Sequence, residues 1–286
     1  MEFLRSAGEA QRMGAPRSLA VCHYYLGTMA YFRGQFETAL EHLARAQALY
    51  RQVGARFGEA VALQVTGLTE TALGRLDVGR ALFERALEMV ADAPMASHAR
   101  VRLYASLVRN RLDANDMGAA IAAAEEGLAL VDEHHCICNA GIYPAAAVVA
   151  ALNGDAARAE DLTRRAVARA EELRSPMMLC GAQQARALER AAVGDWPAAF
   201  EAVELARREA IRGGLVYELG RVLLLGVYVH LDGPGPLSKA EALGLMRQAV
   251  RIFARLGVRA ATAQARSSLG MLRDRLQRQQ PKRHTG

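Results

Sequence analysis

Aromatic residues are scarce in this chain, at 6% with one tryptophan, Trp196, and lysine is nearly absent, occurring only at Lys239 and Lys282. Few large rings are on hand to fill a core, so the 52% apolar share rests heavily on alanine, which favours helix and lets helices approach closely. Four cysteines (Cys22, Cys136, Cys138 and Cys180) in 286 residues are too few for a disulfide framework and fit a reducing cytoplasm. No uninterrupted apolar run reaches the length of a bilayer span, and the charged fraction of 23% is ordinary for a soluble chain. The opening Met1-Glu2-Phe3-Leu4-Arg5 leads into a polar amphipathic stretch rather than the apolar segment of a secretory signal. The expected location is therefore cytoplasmic.

The net charge of +6 is carried almost wholly by arginines spread along the chain, with no dense basic block before the C-terminal tail. Nucleic acid is therefore not the expected partner. Catalytic signatures are missing as well. There is no phosphate-binding Gly-Lys-Ser/Thr loop, no kinase signature, no Gly-x-Ser-x-Gly elbow and no His-Glu-x-x-His pair. Cys22 and His23 are adjacent, and neighbours on a helix point about 100° apart, so they cannot act as a nucleophile and base. Carboxylate pairs such as Glu125-Glu126 and Glu171-Glu172 read as the wet faces of helices. The chain is not expected to be an enzyme or to carry a cofactor.

What the sequence does contain is a beat. Gly34, Gly74, Asn115, Gly154 and Gly194 are spaced 40, 41, 39 and 40 residues apart, and the Gly233-Pro234-Gly235-Pro236 stretch follows on the same rhythm. Glycine, and asparagine as second choice, adopts the left-handed conformation that ends a helix. Asp116, Asp155 and Asp195 follow as N-caps for the next helix. Beyond each turn small residues recur at helical spacing: Ala39, Leu43 and Ala46; Gly79, Phe83 and Ala86; Ala120, Ala124 and Gly127; Ala159 and Ala166; Ala199, Val203 and Ala206; Ala242, Met246 and Ala249. A second beat of helix ends runs through Gly14, Gly54, Gly213 and Gly257. Residues 2–13 then read as the second helix of a unit that lacks its first, either a capping helix or part of a longer array.

Regular self-similarity at this period is the mark of a helical repeat array, in which each unit buries its apolar face only by stacking on its neighbours. The pattern Leu26-Gly27…Gly34…Phe36…Ala39…Leu43…Ala46 resembles the tetratricopeptide repeat. The resemblance is strong in the first two units and weaker beyond, where Val108, Ala147 and Ala187 replace the first-helix glycine and Gly226 stands in the sixth. Units near forty residues are similar to the arm of large bacterial ATP-dependent signalling and transcription regulators, although the chain ends without the helix-turn-helix of the transcription-activator branch. The resemblance implies an all-α, right-handed superhelical solenoid of about six helix pairs with capping helices at both ends. The units are expected at 17–54, 57–92, 97–133, 139–173, 177–213 and 216–257, with a terminal helix at 259–279, the whole forming one domain over 1–279, and with a disordered tail at 280–286.

Such a solenoid implies a function of recognition. The expected role is a protein- or peptide-binding scaffold that uses the concave face lined by the first helices of each pair, in bacterial signalling or regulation. Two rivals stand beside it: sensing of a small-molecule effector in the same groove, and a structural role in self-association into a homo-oligomer. The expected groove residues are Tyr24, Thr28 and Tyr31 in the first unit, Gln64 and Thr71 in the second, Arg102 and Arg109 in the third, and Gln184 in the fifth. Tyrosine and arginine combine large contact area with directed hydrogen bonds, which suits them as anchors. His134, His135, Cys136 and Cys138 hold soft-ligand chemistry for zinc or copper, but no second cysteine pair accompanies them, so no metal is expected.

Overall fold

Each of the five isolated turn residues is left-handed: φ is +73° at Gly34, +83° at Gly74, +57° at Asn115, +81° at Gly154 and +78° at Gly194. The computed structural model describes residues 10, 12, 14–92, 97–131, 139–232, 238–259, 261–263, 265, 266 and 269. Within them lie twelve helices in six antiparallel pairs: α1 (Pro16–Phe32) with α2 (Phe36–Gln52), α3 (Arg56–Ala72) with α4 (Leu76–Met89), and α5 (Ser97–Asp113) with α6 (Met117–Ala129). The series continues with α7 (Asn139–Leu152) and α8 (Ala156–Leu173), α9 (Pro176–Ala192) and α10 (Trp196–Arg212), and α11 (Val216–Asp232) and α12 (Lys239–Arg255). No strand occurs among the described residues, and none of these helices is long and apolar enough to cross a membrane.

The caps follow the expected chemistry. Asp116 accepts from the Ala119 amide at 3.1 Å, Asp155 from Arg158 at 3.1 Å and Asp195 from Ala198 at 3.3 Å. Each satisfies an amide that the first turn of a helix leaves without an intrahelical partner. The second beat holds with two changes. Gly14, Gly54 and Gly257 are left-handed, but in the fifth unit the left-handed residue is Gly214, not Gly213, which caps α10 in right-handed geometry. In the fourth unit the position is filled by Arg174 at φ +48°, a residue type that gives no turn signal.

The small-residue stripes are the seams. Ala39, Leu43 and Ala46 are fully buried, as are Phe83 and Ala86, Ala159 and Ala166, Ala199 and Ala206, and Ala242, Met246 and Ala249. A Cβ on Gly27 would stand 2.7 Å from Leu43 Cγ, and one on Gly67 would stand 2.5 Å from Phe83 Cε1, so these glycines set the crossing of each pair. Gly226 differs: it faces Val203 of the preceding unit, while the residue that follows it, Val227, is fully buried in the core. First helices also pack on the first helices of neighbouring units, giving a continuous inner row α1, α3, α5, α7, α9, α11.

The two ends of the row meet. One apolar cluster joins Tyr31, Phe36, Ala39 and Leu43 of the first unit with Tyr217, Val227, Met246 and Phe253 of the sixth. Phe36 meets Tyr217 edge-on with ring centroids 5.7 Å apart, and Tyr217 meets Phe253 at 5.8 Å. A Cβ on Gly34 would lie 2.5 Å from Leu256 Cδ2. The solenoid thus closes its first turn onto its last helix pair. The Gly233–Pro236 turn, the helix expected at 259–279 beyond its first residues, the tail at 280–286, and residues 2–13 apart from Ala10 and Arg12 lie outside the described residues.

Candidate functional site

The inner row brings polar side chains from four first helices together. Tyr31 comes from α1, Arg109 and Asp113 from α5, Cys180 and Gln184 from α9, and Tyr217, Glu218 and Arg221 from α11. At their centre Arg109 Nη2 donates to Glu218 Oε1 at 2.7 Å, joining helices 109 residues apart in sequence. The Glu218 side chain is 14% exposed and that of Arg109 28%. Arg221 Nη1 stands 3.6 Å from Asp113 Oδ2, too far for a strong hydrogen bond, and completes a set of two positive and two negative groups.

Burial and charge pull against each other here. Burial alone would raise the Glu218 value, but Arg109 and then Arg221 outweigh it and hold the carboxyl below its ordinary range. Burial likewise works against the Arg109 cation, and Glu218, Tyr31 and Asp113 more than offset it. The Tyr31 hydroxyl is pushed up, chiefly by burial. Burial, with Glu218 next, drives the Cys180 thiol up to about 12, so it stays protonated and is a poor nucleophile. Glu218 Oε2 is buried without a hydrogen-bond partner. Gln184 Nε2 donates to Cys180 Sγ at 3.4 Å, and the same side chain helps to hold the Glu218 carboxyl down.

The expected groove residues divide into four groups. Tyr31, Arg109 and Gln184 reach the central cluster. Tyr24 and Thr28 sit a turn or more away on α1, partly buried, with the Thr28 hydroxyl donating to the Tyr24 carbonyl at 2.8 Å. Gln64 and Thr71 are turned into the array instead of onto an open face. Gln64 donates to the Arg102 carbonyl and to Ser106 Oγ, both at 3.0 Å, and Thr71 accepts from Asn110 Nδ2 at 3.0 Å. Both are buried in the seam between the second and third units, because the close stacking of the inner row covers that side of α3. Arg102 is half-buried, and its guanidinium has no ion-pair partner among the described residues.

The sequence reading missed Tyr217, Glu218, Arg221 and Asn110. No local signal marks them: Glu218 stands in the first turn of α11, where an acidic residue is ordinary, and its partner lies three helices along the inner row. Also unforeseen is a pair in the first unit, where His23 and His42 bring their Nδ1 atoms to 2.9 Å between α1 and α2. Burial is the first cause that lowers both imidazoles from their ordinary 6.5, and the Arg45 cation adds to it. No group of three or more metal-ligating side chains occurs among the described residues, and His134, His135, Cys136 and Cys138 lie outside them.

Comparison with known proteins bears on the fold. The tetratricopeptide-repeat family model matches residues 18–90, which span α1 to α4. No curated protein sequence matches the chain. Among solved structures, the chain is similar to a Rap protein complexed with competence and sporulation factor, at a TM-score of 0.56 and 13% identity, over 95% of this chain and 66% of that one. It is also similar to aspartyl phosphate phosphatase F from Bacillus subtilis, at a TM-score of 0.54 and 13% identity, over 93% and 73% of the two chains. This chain is thus about two thirds to three quarters the span of those two proteins. The tetratricopeptide-repeat match thus covers the first two helix pairs, and the chain as a whole shares the helical-repeat fold of those two structures.

Proposed function

We propose that the chain is a peptide- or protein-recognition module whose contact surface is the inner face of the solenoid, serving a bacterial signalling or regulatory system in the cytoplasm. The observation that carries this reading is the central cluster. Two arginines, two carboxylates and two tyrosines are gathered from three helices onto one face, and one enclosed carboxylate oxygen takes no bond from either arginine. Confining such groups costs free energy that a purely structural core would avoid with apolar residues. A peptide, which presents donors and acceptors along its length, can use them. The Rap protein of the same architecture was solved with competence and sporulation factor bound, which supports a ligand-holding role for this fold.

Binding rather than catalysis fits the chemistry: the Cys180 thiol is held neutral, and the Glu218 carboxylate is tied to Arg109. The test is retention of partners from lysate by immobilised protein, with identification by mass spectrometry, alongside Arg102→Glu. That substitution breaks no ion pair among the described residues, so the helical circular dichroism signal should persist while the specific partners are lost. An unchanged partner set with the variant sinks this reading.

A further inference from the structure

The Arg109–Glu218 contact joins units that are not neighbours. Adjacent units are held by helix packing, whereas this pair reaches across the interior from the third unit to the sixth. It is also under-used on both sides. One guanidinium nitrogen meets one carboxylate oxygen, where a matched pair would make two parallel bonds, and Glu218 Oε2 is enclosed with no bond from either arginine. Nearby, Arg221 stands too far from Asp113 for a strong bond. Two arginines therefore face the interior with donor capacity that their present partners do not fill.

The closure that brings Glu218 into place is made by side-chain tips. Phe36 touches Tyr217 and Leu256 lies over Gly34, while the first and sixth units lack the broad helix-on-helix packing that holds adjacent units together. Helical repeat arrays are joined by nearest-neighbour interfaces, so small changes of angle at several of them add up to a large movement of the ends. A contact of this kind can open without unfolding any unit.

We propose that Glu218 is an internal stand-in for a ligand carboxylate: it occupies Arg109 while the ends of the solenoid are closed, and a carboxylate-bearing peptide takes its place when they part. The proposal rests on the peptide-binding reading above and deepens it by naming the ligand's chemistry. The closed form is then self-occluded, and apparent affinity is reduced by the fraction of molecules that are open. The carboxylate can come from a peptide's C-terminus or from an aspartate or glutamate side chain, and both present the same two oxygens to a guanidinium.

The experiment uses the whole chain and three fluorescent hexapeptide pools: neutral with a free C-terminus, amidated with glutamate at varied positions, and amidated and neutral. Glu218→Gln removes the internal carboxylate charge at nearly constant shape. It is expected to tighten binding of at least one carboxylate pool by about tenfold and to leave the third pool unchanged. Which of the first two gains identifies the source of the carboxylate. Adding Arg109→Gln should cancel the gain. Leu256→Ala, which loosens the closing contact without touching the charges, should produce the same gain, so the test does not rest on one variant. Equal effects on all three pools, or none in the carboxylate pools while peptide still binds, overturn the stand-in.

Opening is read separately by spin labels on exposed Thr38→Cys and Gln248→Cys, in a Cys136→Ser, Cys138→Ser background. A narrow distance distribution that broadens and lengthens in Glu218→Gln supports the clasp, and an unchanged one overturns it. If no pool binds either protein, the peptide reading of the inner face falls and the ligand assignment falls with it, while the distance measurement still decides whether the ends part.

Discussion

Arg109 and Glu218 meet at 2.7 Å across 109 residues of chain, and each is the main charge that keeps the other ionised within the solenoid. Removing one partner leaves the other confined without compensation. Glu218→Gln and Arg109→Gln are each expected to destabilise the chain by roughly 3 kcal/mol in urea denaturation, and the double variant by less than the sum. The pH dependence follows from the direction at Glu218. Its folded value lies below the ordinary 4.5, so its contribution is fully present above that value and is lost as pH falls through the depressed one. Glu218→Gln should therefore flatten the acid limb of the stability profile, and an unchanged limb would assign acid sensitivity to other carboxylates.

Gly34 and Gly54 share the left-handed conformation, at φ +73° and +66°, but only Gly34 has a neighbour in the way. An alanine at either position carries the left-handed strain, roughly 1–2 kcal/mol. At Gly34 the new methyl also meets Leu256 Cδ2 at 2.5 Å, whereas at Gly54 nothing lies within 4 Å. Gly34→Ala should thus cost more than Gly54→Ala by roughly 1 kcal/mol or more, and the excess should shrink in a Leu256→Ala background. Equal costs would mean that the closure contributes nothing to stability.

Ala39 and Ala46 lie fully buried in the seam between α1 and α2, with the Ala39 carbonyl 3.1 Å from where a Cβ on Gly27 would stand. Leucine at either position overpacks the pair and should cost roughly 1–3 kcal/mol by thermal or chemical denaturation. Wild-type melting in both variants would contradict the close approach that the alanine stripe provides.

These seams were readable in the sequence because they are periodic. Gly34 to Gly194 and the Ala39, Ala46 stripe each encode a local requirement, a left-handed turn or a small residue at a crossing, and local requirements recur in every unit. The expectations that failed were those in which position on a helix had to stand in for exposure. Gln64 and Thr71 occupy the side of α3 that α5 covers, and how tightly one unit stacks on the next is a property of the array, not of either helix. Arg109 was legible as an inner-face cation, but its partner was not, since closing the array onto itself depends on small rotations summed over several interfaces. Glu218 would have been found only by asking which carboxylate an enclosed arginine requires.

Asn110 shows how closely that stacking is specified. It is 1% exposed, and its amide nitrogen donates at 3.0 Å both to Thr71 Oγ1 and to the Leu76 carbonyl, tying α5 to the turn between α3 and α4. Asn110→Ala removes both bonds and opens a cavity, so a loss of roughly 2–4 kcal/mol is expected. Thr71→Val removes only the acceptor and should cost less. Hydrogen exchange should show the loss concentrated in the second and third units, and a uniform loss along the chain would argue that Asn110 has no special part in that junction.

The His23–His42 pair gives the first unit a pH response of its own. With both rings neutral, one Nδ1–H donates to the other Nδ1 at 2.9 Å, and a proton on each would set two cations face to face beside Arg45, with Glu41 the nearby opposing charge. Both folded values lie below 6.5, so the unfolded chain takes up protons first as pH falls. The pair's contribution is complete above 6.5 and declines as pH drops from there towards the lowered values. Urea denaturation at about pH 7.5 and about pH 5.5 should show this loss in the wild-type chain, reduced in His42→Gln, which keeps a donor and an acceptor but cannot take up the charge. Because the same unit supplies Gly34 and Phe36 to the closure, the acid-side loss should be accompanied by lengthening of the distance between labels at positions 38 and 248. A stability change with no movement of the ends would confine the histidine effect to the α1–α2 seam.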